Sequence, residues 1–171
     1  MLFIGDSHVE HLRAGFDAMG KRRNITIDFW TSPGCPPLEG TYKHFASNDF
    51  GKEEVCKALG PEWERLIDSG VYPVVAFGSR WMWLFEPQEY AEALIPRDLL
   101  VDRQDPIMTT DAARILFTSR LRSTINRIHD AGSRAIVFSQ VPLLARNVQG
   151  CDRMLALLYS SDRRAERCSS G

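Results

Sequence analysis

Leu2-Phe3-Ile4-Gly5-Asp6-Ser7-His8-Val9-Glu10-His11-Leu12 is the stretch whose reading decides the fold. Leu2, Phe3 and Ile4 form a short apolar run, which Gly5-Asp6-Ser7 ends. Val9, Leu12, Phe16 and Met19 then recur at spacings of three, four and three, one face of a helix. Ser7 therefore falls where a buried strand turns into a helix. The first N–H groups of a helix lack intrahelical partners and carry partial positive charge. A serine oxygen held there is placed to attack a carbonyl, with nearby N–H groups receiving the oxyanion. Ser7-x-x-Glu10 also fits a capping box, the ordinary way to begin a helix. The two roles are compatible, and both stay open at this point.

Working outward, residues 2–5 read as the first strand and residues 8–20 as the first helix, closed by Gly20 and Lys21-Arg22-Arg23. Ile25, Ile27 and Phe29 alternate, so 24–30 reads as a second strand. Residues 31–40, with three prolines and two glycines, read as a loop. A helix is expected over 51–69 with Val55, Leu59, Trp63, Leu66 and Ile67 inward and an interruption at Gly60-Pro61. Tyr72–Phe77 is a continuous apolar run, as in a strand covered on both faces. Pro87–Leu94 reads as a short helix inside an exposed excursion over 84–108. The longest helix spans 109–131, with Ala113, Phe117, Leu121, Ile125 and Ile128 as its stripe and Gly132 as its stop. Ala135–Ser139 reads as another buried strand, left at Gln140-Val141-Pro142. Met154–Tyr159 offers a helical turn or two, and 160–171 reads as a frayed end.

This alternation of apolar strands and helices implies an α/β chain, a mainly parallel sheet with helices on both faces, in one domain over 1–171. Ligands of such sheets bind beyond the carboxyl ends of the strands. Ser7, the 31–40 loop, the 78–81 turn and the 140–150 loop all lie at those ends.

Composition narrows the function classes. Hydrophobic residues make up 44% and charged residues 25% of the 171, as expected of a globular chain with its own core. A net charge of −1 argues against a nucleic-acid partner, since binding phosphates needs a basic excess. No apolar stretch reaches the length of a membrane span, and Met1 leads straight into the first strand without a secretory signal. Cys35, Cys56, Cys151 and Cys168 have no Cys-x-x-Cys spacing, which argues against zinc and leaves two disulfides or four free thiols open. His8 and His11 lack a third ligand, so no metal is expected.

Four segments together resemble the SGNH (GDSL-like) hydrolase superfamily. The finer resemblance is to the SGNH domain of acyltransferase-3 proteins that O-acetylate bacterial surface polysaccharides such as lipopolysaccharide. The segments are Gly5-Asp6-Ser7-His8-Val9-Glu10-His11-Leu12, Ser32-Pro33-Gly34-Cys35-Pro36-Pro37-Leu38, Val74-Val75-Ala76-Phe77-Gly78-Ser79-Arg80-Trp81 and Ile136-Val137-Phe138-Ser139-Gln140-Val141-Pro142. They run in the family's order from residue 1 to about 150.

The resemblance implies a three-layer α/β/α sandwich with Ser7 as nucleophile and its own N–H as an oxyanion donor. Gly34 matches the family's glycine block. The usual Gly-x-Asn of the third block is replaced by Gly78-Ser79-Arg80, so Arg80 is the nearest polar candidate to hold the oxyanion or the substrate. The alternative is that Arg80 snorkels to solvent. The family's general base, the histidine of a late Asp-x-x-His motif, has no counterpart here, since no histidine follows Gln140. The chain thus reads as the front of the domain with its last strand, helix and base missing. His11 lies one turn after Ser7, roughly 40° around the helix, and is the substitute base within reach. His8 is adjacent, points elsewhere and is placed with Trp81 among substrate-binding residues. Trp81 and Trp83 either stack on a sugar or fill the core.

The subgroup's periplasmic setting implies Cys35–Cys56 and Cys151–Cys168 disulfides, each contributing roughly 3 kcal/mol. The implied activity is transfer of an acyl group, acetyl above all, to a surface-glycan hydroxyl at the periplasmic face of the bacterial inner membrane. The donor would be delivered by a membrane acyltransferase domain, with no cofactor. The alternatives are an SGNH esterase and a non-catalytic glycan-binding or inactive module.

Overall fold

The structure is a computed structural model, and it describes residues 1–45, 50–84 and 98–139. The expectations for Pro87–Leu94, the 140–150 loop, Met154–Tyr159, the 160–171 end and the Cys151–Cys168 pair lie outside these residues.

Strand β1 (Leu2–Gly5) is buried along its whole length because it has neighbours on both edges. It pairs in parallel with β2 (Asp28–Thr31) on one side and β4 (Val74–Gly78) on the other. Strand β6 (Arg134–Phe138) pairs in parallel with β4, giving the order β2-β1-β4-β6. Successive strand residues face opposite sides, and two core layers follow. Leu2, Ile4, Val75 and Phe77 face one layer, with Cys56, Trp63 and Ile67 of helix α3 (Phe50–Asp68) and Ala113 and Ile128 of helix α4 (Thr110–Asp130). Phe3 and Ala76 face the other, with Val9, Phe16, Phe29 and Phe138. Phe3 stands at the centre of that layer, 4.6 Å from Phe16 and 4.7 Å from Phe29 between ring centroids. The expected three-layer α/β/α arrangement is thus present.

Several local expectations are corrected. The first helix is two pieces, α1 (Ser7–Glu10) and α2 (Arg13–Arg23). Gly20 does not end α2. A Cβ there would stand 2.8 Å from the Ile25 carbonyl oxygen, so Gly20 is a close-approach site inside the helix. The stop is Asn24, left-handed at φ 53°, whose N–H bonds to the Gly20 carbonyl. Pro61 does not interrupt α3, although it has no N–H to donate to the preceding turn. Val55 is half exposed, and the inward row of α3 is Glu53, Cys56, Gly60, Trp63 and Ile67.

The end of the proline-rich loop and the excursion are also more ordered than expected. Strand β3 (Thr41–His44) pairs antiparallel with β5 (Leu99–Asp102) as a second, two-stranded sheet. Leu99, Leu100 and Val101 are buried, so this part of 84–108 is core and not an exposed excursion. Lys43 is buried in β3 because Asp98 Oδ2 lies 2.7 Å from its Nζ. Strand β6 is less covered than expected, with Ile136 41% and Val137 40% exposed. Helix α4 matches its expected span. Thr109 caps it through a bond from the Ala112 N–H, and Gly132 follows at φ 78°.

Charged side chains fasten the far end of the 32–40 loop to α3 and α4. Arg127 of α4 donates to both carboxylate oxygens of Asp68, at 2.7 and 2.6 Å, and to Glu39 at 2.9 Å. Glu64 of α3 accepts from the Gly40 N–H and from Arg103. The loop is thereby fixed at its end and, through a bond described next, at its start.

Candidate active site at the end of the first strand

The carboxyl ends of β1 and β4 are both glycines, Gly5 and Gly78, paired in register. The pairing requires them. A Cβ on Gly5, which sits at φ 150°, would lie 2.1 Å from the Gly78 carbonyl oxygen. A Cβ on Gly78 would lie 2.9 Å from Phe138 Cβ. The two strands can therefore approach closely just before each delivers its polar residues.

Asp6 follows Gly5 and is 2% exposed. It adopts extended backbone angles and caps α1, its Oδ1 accepting from the His8 N–H at 2.8 Å. Its Oδ2 accepts from the Ser79 hydroxyl and the Arg80 N–H, each at 2.8 Å. One buried carboxylate thus joins the start of α1 to the turn after β4. The sequence reading gave the cap to Ser7, and that is corrected. Asp6 takes the capping role, and Glu10 does not reach back. The Glu10 carboxylate accepts from Arg13 at 2.6 and 2.9 Å and from the Thr31 hydroxyl, bonds that pull its pKa below the usual carboxylate range. These contacts tie α1 to the end of β2 and draw Arg13 over the Phe29 ring, 4.5 Å from its centroid.

Relieved of capping, Ser7 is the first residue of α1 and half-buried. Neither its hydroxyl nor its N–H bonds to any described residue, while the carbonyl of Asp6 is taken by Val9 and Glu10 and that of Ser7 by His11. On its other side, the Ser32 N–H bonds to the Gly5 carbonyl at 2.9 Å, which brings the 32–40 loop to the end of β1. Gly34 follows two residues later at φ 80°, with the Phe45 ring 3.2 Å from where its Cβ would stand. Cys35 is bonded to Cys56 of α3, so the Gly34 turn is anchored covalently to the layer beneath. Ser7, Gly34 and the Ser79-Arg80 turn thus share one end of the sheet.

The remaining candidates are placed as follows. The Arg80 side chain is half-buried. Burial pulls its pKa down, and the charge of Asp6 opposes that. The Trp81 ring is not placed to stack on a sugar. It is 7% exposed, packs against Phe77 and Phe117, and donates its Nε1 hydrogen to the Phe138 carbonyl at 2.8 Å. The core alternative holds for it. His11 caps α1 with an exposed side chain. His8 is one-third exposed, and its Nδ1 lies 3.4 Å from Asp6 Oδ1. His44 stands in β3, bonded through Nδ1 to Glu53 Oε2 at 2.8 Å. Among the described residues, no three His, Cys, Asp or Glu side chains are grouped to hold a metal ion. No described helix is long and apolar enough to cross a membrane. The residues missed by the sequence reading are Asp6 and Ser79. The available signal was an aspartate directly before a helix start.

No curated protein matches the chain. A similar solved structure is that of the periplasmic domain of a Salmonella ser. Paratyphi A lipopolysaccharide acetyltransferase. It shares 19% identity at a TM-score of 0.55, over 92% of this chain and 51% of that one. At this identity the likeness carries the fold alone, and the chain spans about half of that structure. The family model of the SGNH domain (fused to AT3 domains) matches residues 1–170, and the chain belongs to that family.

Proposed function

We propose that the chain transfers an acyl group, acetyl above all, through Ser7 to hydroxyls of a bacterial cell-surface polysaccharide. It would do so as the extramembrane part of a membrane O-acyltransferase. The observation that carries this reading is the division of labour between Asp6 and Ser7. Asp6 caps α1 and holds the turn after β4, and neither the hydroxyl nor the N–H of Ser7 bonds to a described residue. A nucleophile needs its oxygen unencumbered, and a tetrahedral oxyanion needs a donor that is already in place. The Ser7 N–H serves as that donor, with Gly34 and Arg80 as the neighbouring candidates.

Three findings support the setting. The family is one fused to AT3 domains, which supplies a membrane acyltransferase to deliver the acyl donor. The similar solved structure is a periplasmic domain of an acetyltransferase. The Cys35–Cys56 disulfide fits an oxidising compartment such as the periplasm. The test is Ser7→Ala in the complete membrane-anchored protein, read as the acetyl content of surface polysaccharide in its own cells. Loss of acetylation with normal protein levels is expected. Unchanged acetylation overturns the proposal. Release of free acetate without polysaccharide modification would favour an esterase on the same serine.

A further inference from the structure

His8 is the second residue of α1, with its ring turned back toward Asp6. Nδ1 lies 3.4 Å from Asp6 Oδ1, and the Asp6 side chain is 3% exposed against 33% for His8. Nδ1 itself is sealed from solvent, and its approach to the carboxylate is too oblique to form a hydrogen bond. A buried polar atom without a hydrogen bond is rare and marks a place where charge or chemistry intervenes. The Nδ1 tautomer sets its proton toward the carboxylate 3.4 Å away and puts the lone pair on Nε2, and proton acceptance at Nε2 requires this form. The ring is one-third exposed, and the exposed part does not include Nδ1.

Adjacent helical side chains diverge by about 100°, so His8 stands beside the Ser7 oxygen and not over it. That position suits a hydroxyl approaching an ester already formed on Ser7. We propose that His8, oriented by Asp6, accepts the proton of the hydroxyl that takes the acyl group from Ser7. This rests on Ser7 being the nucleophile. In the step, the acceptor O–H bond breaks and its proton passes to His8 Nε2 as the oxygen bonds to the acyl carbon. The tetrahedral intermediate then collapses, its bond to Ser7 Oγ breaks, that oxygen takes a proton from solvent water, and His8 gives its own proton back to solvent. Asp6 offsets the charge of the transient imidazolium, much as a buried carboxylate supports any catalytic histidine. The other charged or titratable groups around the ring are His11, 6.3 Å away between ring centroids, Arg80 near Asp6, and Glu10, which is held by Arg13.

The experiment compares the parent chain with His8→Asn, His8→Gln and Ser7→Ala, using p-nitrophenyl acetate as acyl donor and methanol or water as acceptor. Asparagine keeps a donor where Nδ1 stands and removes Nε2. Glutamine places a polar atom where Nε2 stands, with no basic nitrogen. Intact mass reads the acetyl adduct on Ser7, and released acetate or methyl acetate reads its discharge. Both His8 variants should still form the adduct, because p-nitrophenolate leaves without a proton and the Ser7 proton can pass to solvent water. Discharge should slow about 10²–10⁴-fold, and its rise with pH should disappear. Discharge within threefold of the parent, or a pH profile unchanged in His8→Asn, overturns the role of His8. Loss of adduct formation equal to that of Ser7→Ala also overturns it, since His8 would then serve the first step or the fold. A parent chain that forms no adduct on Ser7 overturns the nucleophile reading, and this proposal with it.

Discussion

Replacing Asp6 with alanine removes the joint between the first strand, the first helix and the turn after β4. The carboxylate accepts three bonds of 2.8 Å, from the His8 N–H, the Ser79 hydroxyl and the Arg80 N–H. A bond to a charged acceptor contributes about 1.5–3 kcal/mol, so three of them come to about 4–9 kcal/mol. Removing a buried charge returns several kcal/mol of desolvation. A net loss of about 3 kcal/mol remains. Asp6→Asn keeps one acceptor oxygen and the shape, and should cost about 1–2 kcal/mol. The assay is urea unfolding at neutral pH. With a slope of about 2 kcal/mol/M, Asp6→Ala should lower the midpoint by about 1.5 M. Ser79→Ala supplies the internal control. It should destabilise the parent by about 1 kcal/mol and the Asp6→Ala background by almost nothing, because the bond is already gone. A midpoint for Asp6→Ala within about 0.3 M of the parent, or an undiminished effect of Ser79→Ala in that background, would refute the joint.

Other outcomes follow from single contacts. Trp81→Phe removes the bond to the Phe138 carbonyl and should cost about 1–2 kcal/mol of stability in urea unfolding while leaving acyl discharge unchanged, since the ring is core. Removing the Cys35–Cys56 bond by a double alanine change opens a 21-residue separation and should cost about 3 kcal/mol, read as a lowered thermal midpoint. The carboxyls of Glu53 and Asp102 are pushed up by burial. Bonds from Lys57 and His44 to the first, and from Gln104, Arg120 and Asp105 to the second, outweigh that and hold both below their usual range. Groups depressed in the folded state stabilise it fully above about pH 4–5 and lose that contribution as pH falls through the lowered values. Stability should therefore decline in acid below about pH 4, and Glu53→Gln or Asp102→Asn should flatten that decline in urea midpoints measured against pH.

The parts of the fold legible in the sequence are those whose signal is local. Residues 2–5 and Tyr72–Phe77 read as buried strands because neighbours on both edges and helices on both faces demand unbroken apolar runs. Residues 109–131 read as a helix because the apolar stripe and the Gly132 stop agree. Strands β3 and β5 were not legible. Thr41-Tyr42-Lys43-His44 shows no apolar alternation, and its buried lysine is met by Asp98 from a segment more than fifty residues away. The end of α2 misled for a similar reason. Gly20 carries the usual stop residue, but it is there to let Ile25 approach, and Asn24 takes the left-handed turn.

The site divides the same way. The strand-to-helix turn at Ser7 was legible from spacing, and the Cys35–Cys56 bond was implied by resemblance and is present. Which of two adjacent polar residues caps α1 was not legible. Ser79 and Arg80, more than seventy residues downstream, donate to the Asp6 carboxylate and hold it at the turn, so the cap falls to Asp6 and not to Ser7. The Asp6–His8 contact is local, yet the sequence shows only two polar residues flanking a serine. The backbone turn at Asp6 is what folds the ring of His8 back on the carboxylate.

The central claim is that Ser7 carries the acyl group, and covalent trapping tests it most directly. The protein would be incubated with an activated acetyl ester, quenched in acid, digested, and the acetylated peptide located by mass spectrometry. The account predicts an acid-stable, hydroxylamine-labile acetyl ester on the peptide containing Ser7, absent in Ser7→Ala. An adduct confined to lysines or to another serine, or one that persists in Ser7→Ala, would contradict it.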